Sequence, residues 1–315
     1  MIKCSYFCYY TIHAYYEKAV IAMNILVLGG SYFLGYGFVK LAVSEGHAVT
    51  VFNRGTRPLN MEGVSEIRGD RTSEADLRKI DAAFDATADF CAYEKGDIRL
   101  VKDVLGDRTG RYVFISTVDV YERGTGKVLD ESSAFETRDF GGEAGAYILG
   151  KVSLEKEIES YPDRCVLRPS IIYGPGNYAP RENIYFKWIS AAGQILQPKP
   201  SDGFFQMVSV GDVAKAALEA CRSDSFAGRA FNVTSSDTYT YEDFTNILKE
   251  VTGTDFEVIG VTPEEAFMQQ VPFPYPIMKA ESEKYDGSAL EKTGFVYTDI
   301  IEGMKEAWEN YVHSK

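Results

Sequence analysis

A phenol and an ammonium four residues apart on a helix share one face. The ammonium stabilises phenolate, which draws a tyrosine down from its usual pKa of about 10 toward the working range of a general acid/base. Tyr147 and Lys151 stand at that spacing, but so do Tyr36/Lys40, Tyr275/Lys279 and Tyr311/Lys315 in a chain with 21 tyrosines. Spacing alone therefore selects nothing, and context must. Tyr275/Lys279 encloses Pro276, Tyr311/Lys315 closes the sequence, and Tyr36/Lys40 sits just after a glycine-rich turn. Only Tyr147 follows Ser116-Thr117 at the end of a strand-like run, where a hydroxyl can hydrogen-bond a substrate oxygen that the phenol protonates or deprotonates.

A second constellation binds rather than reacts. The apolar run Ile25–Leu28 leads into Gly29-Gly30-Ser31-Tyr32-Phe33-Leu34-Gly35 and then a helix-like stretch. Glycines in a strand-to-helix turn let the backbone approach a pyrophosphate, which the free N–H groups and positive end of the following helix hold. The next strand ends at Asn53-Arg54, where an NAD-selective site would carry an acid for the ribose hydroxyls. Arg54, with Arg57, can instead pair with a 2′-phosphate. The expected cofactor is NAD or NADP, with NADP favoured. Asp70 in Gly69-Asp70-Arg71 is a candidate acceptor for the adenine amino group and equally a cap before Thr72; Arg71 beside it joins the candidate cofactor contacts.

These residues require a frame. Strand-like segments (Ile25–Leu28, Ala48–Phe52, Val64–Arg68, Phe84–Ala88, Arg111–Ser116, Cys165–Leu167) alternate with amphipathic ones (Leu34–Glu45, Ser73–Ile80, Gly96–Leu105, Ala144–Ser160), a rhythm that predicts an α/β fold with a doubly wound parallel sheet. The alternation weakens after Pro175, and Thr240-Tyr-Glu-Asp243 reads as a capping box for a helix over Tyr241–Val251. We expect a nucleotide-binding domain over 23–173, to which 206–235 returns, and a smaller substrate-binding lobe from 174–205 and 236–315. Residues 1–22 read as an extension, because Met23 directly precedes the first strand. The chain has 315 residues and a net charge of −13, the wrong sign for sequence-independent binding to nucleic acid or an anionic membrane. No apolar run has the length of a membrane span. Five scattered cysteines without a C-x-x-C pair and three histidines outside the motifs spell no disulfide framework, metal site or His-based triad, and a cytoplasmic setting is expected. Cys91 reads as a small packed hydrophobe.

Taken in order, Gly29-Gly30-x-x-Phe33-x-Gly35, Gly69-Asp70, Ser116-Thr117-x-x-Val120-Tyr121, Tyr147-x-x-x-Lys151 and Arg168-Pro-x-x-x-Tyr173-Gly-Pro175 resemble the extended short-chain dehydrogenase/reductase superfamily, in particular the NAD-dependent epimerase/dehydratase family, over nearly everything from Met23 onward. The resemblance implies a Rossmann-type domain, Thr117 as the hydroxyl residue, Tyr147 as acid/base, and Lys151 holding ribose and tuning Tyr147. It places substrate contacts at Asn177, Tyr178, Arg181, Trp188 and Gln206, and it implies a homodimer through Lys95–Leu105 and Tyr147–Ser160. Three departures qualify it. Tyr32 replaces the loop's middle glycine, as in the branch that includes plant chloroplast stem-loop-binding proteins, and the loop must be shaped differently. Val118-Asp119 replaces the Asp-Glu of sugar-nucleotide 4,6-dehydratases, which disfavours that elimination. Phe205 stands where sugar-nucleotide epimerases carry an arginine for the diphosphate. The expected function is an NAD(P)-dependent epimerase/reductase-type oxidoreductase acting on a small molecule, possible substrates including a sugar nucleotide. The alternatives are a reductase of a small non-nucleotide carbonyl compound and a non-catalytic nucleotide-sensing or RNA-associated protein.

Overall fold

The short apolar runs become seven parallel strands in the computed structural model of the protein, which describes residues 22–314. They are β1 (Asn24–Leu28), β2 (Ala48–Asn53), β3 (Val64–Arg68), β4 (Ala86–Asp89), β5 (Arg111–Ile115), β6 (Arg164–Pro169) and β7 (Arg229–Val233). Their order is β7-β6-β5-β4-β1-β2-β3, with Ile25 of β1 in register with Val49 on one side and Ala86 on the other. The principal helices are α1 (Phe33–Ser44), α2 (Asp97–Leu105), α3 (Gly142–Ile158), α4 (Glu182–Ala192), α5 (Val210–Arg222), α6 (Tyr241–Thr252) and α7 (Ile300–His313). The reading of residues 1–21 as part of an extension lies outside the described residues. Met23 already belongs to the fold, since its N–H donates to His47 and its carbonyl accepts from Ala48.

Alternation along a strand sends successive side chains to opposite faces. Ile25 and Val27 therefore pack with Phe38 and Val39 of α1 and Val213 and Ala217 of α5. Leu26 and Leu28 pack with Ile98 and Val101 of α2 and Leu154 and Ile158 of α3. This is the doubly wound α/β sheet that the sequence rhythm implies. Its chain order reverses between β1 and β4, which opens a crevice at the carboxyl ends of those strands. No described helix is long and apolar enough to cross a membrane.

A third core, rich in aromatic side chains, sits between α4, α6 and α7 around Tyr185, Phe186, Tyr241, Phe244 and Met304. The capping box at α6 forms as expected, with the Thr240 and Asp243 side chains each taking the other's backbone N–H. Two details depart from the sequence reading. The stretch Ser73–Ile80 holds only one α-helical turn, Glu74–Leu77, because Lys79 and Ile80 donate to the carbonyls three residues back. The strand Met207–Ser209 pairs with Ile171–Tyr173 as a ribbon separate from the main sheet, while α5 and β7 rejoin it.

Charged groups also hold the frame together. Arg168 on β6 and Glu155 on α3 are both buried and joined by hydrogen bonds of 2.5–3.1 Å. Ser116, just past β5, donates to the same carboxylate at 2.5 Å. The other arm of Arg168 donates to Tyr121 Oη at 2.7 Å, and Tyr121 donates onward to Asn232 on β7. Removing one partner of such a pair strands the other and costs about 3–5 kcal/mol. Arg168→Met is therefore expected to lower the melting temperature by several degrees, and the double change Arg168→Met/Glu155→Leu to recover part of the loss. Thermal unfolding of the three proteins checks this, and equal stability of the single variant and the parent would contradict it.

Candidate active site

The turn after β1 makes a cradle. Gly29 and Gly30 have φ of +102° and +82°, a region that side chains with a Cβ rarely adopt. A Cβ on Gly35 would lie 2.8 Å from the Gly30 backbone nitrogen, so helix α1 packs onto the turn only because that atom is missing. The turn opens into a cavity of about 1120 Å³. It runs from Gly29–Gly35 past Asn53, Arg54, Asp70 and Arg71, then past Cys91, Thr117, Tyr147 and Lys151, to Asn177, Tyr178, Arg181 and Gln206. The candidate site residues named from the sequence, Trp188 excepted, thus line one space. A strand end, a Cβ-free cradle and an open helix start together fit a dinucleotide.

Lys151 is buried on α3 and donates to the carbonyls of Ala92 at 2.8 Å and Ile115 at 2.9 Å. An ammonium has three donors, so one is left for a ligand. Burial lowers its pKa to about 8, against which Asp89 favours the charged form. The approach of α3 to the loop after β4 depends on Gly150, where a Cβ would meet the Tyr93 carbonyl at 2.4 Å. Tyr147 is half-buried one turn earlier, its ring centroid 5.8 Å from the Lys151 ammonium and 6.4 Å from that of Tyr93. Burial raises the Tyr147 phenol to about 12, and Asp119 pushes it the same way. A hydrogen bond with Thr117 and the charge of Arg181 oppose that rise. Thr117 caps the turn Val118–Val120 by accepting from the Asp119 N–H at 3.1 Å, which fixes its hydroxyl beside Tyr147.

At the far end of the cavity, Asn53 spends its side-chain oxygen on the Gly55 N–H at 2.6 Å. Arg54 and Arg57 are exposed and make no ion pair among the described residues. Asp70 accepts from both the backbone and the hydroxyl of Thr72, at 2.9 and 2.7 Å, and these bonds hold its pKa down. It thus has the geometry of the local cap, with its second oxygen left over. Arg71 is buried, and one guanidinium nitrogen grips both oxygens of Asp89, at 2.7 and 2.9 Å. Tyr112 adds a 2.6 Å hydrogen bond to the same carboxylate. This buried pair escaped the sequence reading; the visible signal is Asp89 closing the otherwise uncharged strand Ala86–Asp89. Cys91 lies against Arg71, and burial pushes its thiol up to about 11, as suits a packed side chain.

The residues placed at the substrate end divide. Asn177 is buried and spends its amide on Glu182 and the Ile172 carbonyl. Gln206 is buried and clamps Ser235 and Tyr285 through three hydrogen bonds. Trp188 packs edge-on against Tyr185 in the aromatic core and does not line the cavity. Tyr178 is exposed and stacks on Tyr32 with ring centroids 5.0 Å apart. Arg181 is half-buried and donates to the Ile172 carbonyl at 3.1 Å.

Residues 94–234, which carry Thr117, Tyr147, Lys151 and Arg168, match the NAD dependent epimerase/dehydratase family. That match spans somewhat under half of the chain. It is similar to the chloroplast stem-loop binding protein of 41 kDa b of Arabidopsis thaliana, with 24% identity over 94% of this chain and 81% of that one. It is also similar to the 2-alkyl-3-oxoalkanoate reductase of Stenotrophomonas maltophilia, with 33% identity over 49% of this chain and 52% of that one. Among solved structures it shares its fold with a UDP-N-acetylglucosamine 4-epimerase from Methanobrevibacter ruminantium, with a TM-score of 0.76 and 19% identity over 93% of this chain and 99% of that one. Because the cradle depends on the missing Cβ of Gly35, Gly35→Ala is expected to weaken dinucleotide binding at least about tenfold, the effect of roughly 1.4 kcal/mol of misfit. Calorimetric titration with NAD and NADP checks this, and unchanged affinity for both would refute the placement.

Proposed function

We propose that the chain is a member of the NAD dependent epimerase/dehydratase family and an oxidoreductase of epimerase/reductase type in which Thr117, Tyr147 and Lys151 work on a hydroxyl or carbonyl carbon. The observation that carries the reading is the meeting of these three side chains in the middle of a cavity whose far end is the Gly29–Gly35 cradle. A bound nicotinamide dinucleotide supplies the two-electron acceptor or donor. Thr117 orients the substrate oxygen, and Tyr147 takes or returns its proton. Lys151 holds the ribose through its remaining N–H and favours the phenolate by its charge. Burial works against the phenolate, and the Lys151 charge works for it.

For the cofactor, the exposed Arg54, which makes no ion pair among the described residues, and the committed side chain of Asn53 support NADP over NAD. A homodimer across α2 and α3 and a cytoplasmic setting complete the proposal, the former checked by sedimentation. A second reading, a reductase of a small non-nucleotide carbonyl compound, is favoured by Phe205, which is buried in place of a diphosphate-gripping arginine. The similarity to a reductase of 2-alkyl-3-oxoalkanoates points the same way. RNA association, suggested by the plant relative's name, is opposed by the net charge of −13. A salt-dependent shift of a labelled stem-loop would revive it.

Thermal shift with NAD⁺, NADH, NADP⁺ and NADPH is the primary test. NADP(H) should raise the transition more than NAD(H), and Arg54→Ala should erase that difference; no shift with any of the four in folded, ligand-free protein would defeat the oxidoreductase reading. In turnover, Tyr147→Phe should lose about 10²–10⁴-fold in rate. The pH profile of hydroxyl oxidation adds a signed expectation. Asp119 disfavours phenolate, so Asp119→Asn lowers the Tyr147 pKa and moves the rising limb to lower pH. Thr117→Val removes a bond that favours phenolate and moves the limb to higher pH. Limbs that stay put in both variants would mean that another group titrates.

A further inference from the structure

At the substrate end of the cavity the charges are mostly committed. Arg123 is ion-paired with Asp119. Glu281 accepts from the N–H groups of Ile277 and Met278, and Glu283 from that of Gly124. Buried Glu182, next to Arg181, is occupied by the Gly174 N–H and the Asn177 amide. Arg181 differs from these. It is half-buried and lines the cavity, its charge reaches Tyr147, and its one hydrogen bond is to the neutral Ile172 carbonyl. Among the described residues it has no carboxylate partner within ion-pair distance. A guanidinium held this way, out of bulk water and with donors unspent, is a ready grip for a carboxylate.

The surrounding wall limits what else the ligand can be. Phe204, Phe205, Pro274, Pro276 and Tyr285 line this end, and Phe205 stacks on Tyr275 with centroids 4.2 Å apart and an interplanar angle of 19°. A diphosphate carries two charges or more and would find there, among the described residues, one cation without a carboxylate partner, with Asp119, Glu281 and Glu283 lining the same space. One carboxylate matches the one cation, and the aromatic and proline wall accepts an apolar chain.

We propose that Arg181 binds the carboxylate of the substrate, which is a hydroxy- or oxo-carboxylate with an apolar chain, placing its reacting oxygen between Thr117 and Tyr147. This inference rests on the oxidoreductase reading and deepens it by assigning the substrate class. Arg181 is thus a specificity-determining residue.

The test uses the full chain loaded with NADP⁺ or NAD⁺ and three probes: 3-hydroxyoctanoate, its methyl ester, and UDP-glucose. Binding is read by calorimetry and oxidation by cofactor absorbance. The acid should bind at least about tenfold more tightly than the ester, the effect of one charge-assisted contact, and UDP-glucose should bind more weakly than the acid. Arg181→Gln, which keeps a donor for the Ile172 carbonyl and loses the charge, should remove the preference for the acid, and Arg181→Lys should keep part of it. Equal binding of acid and ester, tighter binding of UDP-glucose, an undiminished preference in Arg181→Gln, or no binding of any probe would overturn the proposal. Calorimetry separates the two hypotheses: an acid preference that depends on Arg181 but with turnover unaffected in Tyr147→Phe would sink the catalytic reading and leave the anion site standing.

Discussion

A guanidinium and a carboxylate taken out of water are tolerated only where their donors and acceptors are met, and meeting them here fixes where four segments stand. Arg168 projects from β6, Glu155 from the helix that carries Tyr147 and Lys151, and Ser116 from the end of β5 beside Thr117. Tyr121 ties the turn after Thr117 into the same cluster. The groups proposed for chemistry therefore sit one residue (Thr117), one helical turn (Lys151) or two helical turns (Tyr147) from members of a buried polar network. Such a network is rigid because any slip leaves a charge unpaired. That rigidity holds the Tyr147-bearing face of α3 against the strand ends, although Tyr147 itself is only half-buried.

The electrostatics of the centre follow from a second buried pair. Asp89 and Arg71 nearly cancel one another, and the carboxylate also receives Tyr112 and the Cys91 N–H. The Cys91–Tyr93 loop is thereby pinned, and it is this loop that offers the Ala92 carbonyl to Lys151. The same carboxylate partly offsets the burial that would otherwise strip Lys151 of its proton. The result is a charged ammonium one helical turn from a phenol whose own burial resists ionisation.

Much of this was legible in the sequence, and the parts that were not share a cause. The strands and their helices could be read because each buries a periodic face, and the glycine turn because backbone approach demands particular residues. Tyr147 could be picked from four equivalent spacings only through its place after Ser116-Thr117. Asp89 and Arg71 went unpaired because nothing local links residues on different strands; their contact exists only once β3 and β4 are brought to the same edge of the crevice. The resemblance places Asn177 and Gln206 among the substrate contacts. Both line the cavity, and their side chains also satisfy the stretch's own backbone and neighbouring groups, as buried irregular chain requires.

Tyr32 illustrates how a lost glycine can be accommodated. Its backbone is extended, with φ of −152°, so the position does not need a glycine in this loop. The left-handed turn falls one residue later, on Phe33 at φ +41°, at a cost of about 1–2 kcal/mol for a side chain with a Cβ. The Tyr32 ring, directed outward, lies between the Arg57 guanidinium at 4.0 Å and the Tyr178 ring at 5.0 Å, and Phe33 meets Tyr178 edge-on. An exposed cation–π contact contributes about 0.5–1 kcal/mol and each aromatic pair about 0.5–1.5 kcal/mol, enough to offset the strain. The exchange also has a structural result that glycine could not give. The strand-end loop carrying Arg57, the nucleotide turn and the loop carrying Tyr178 become three layers of one stack. The glycine-turn end and the Arg181 end of the cavity therefore share a wall.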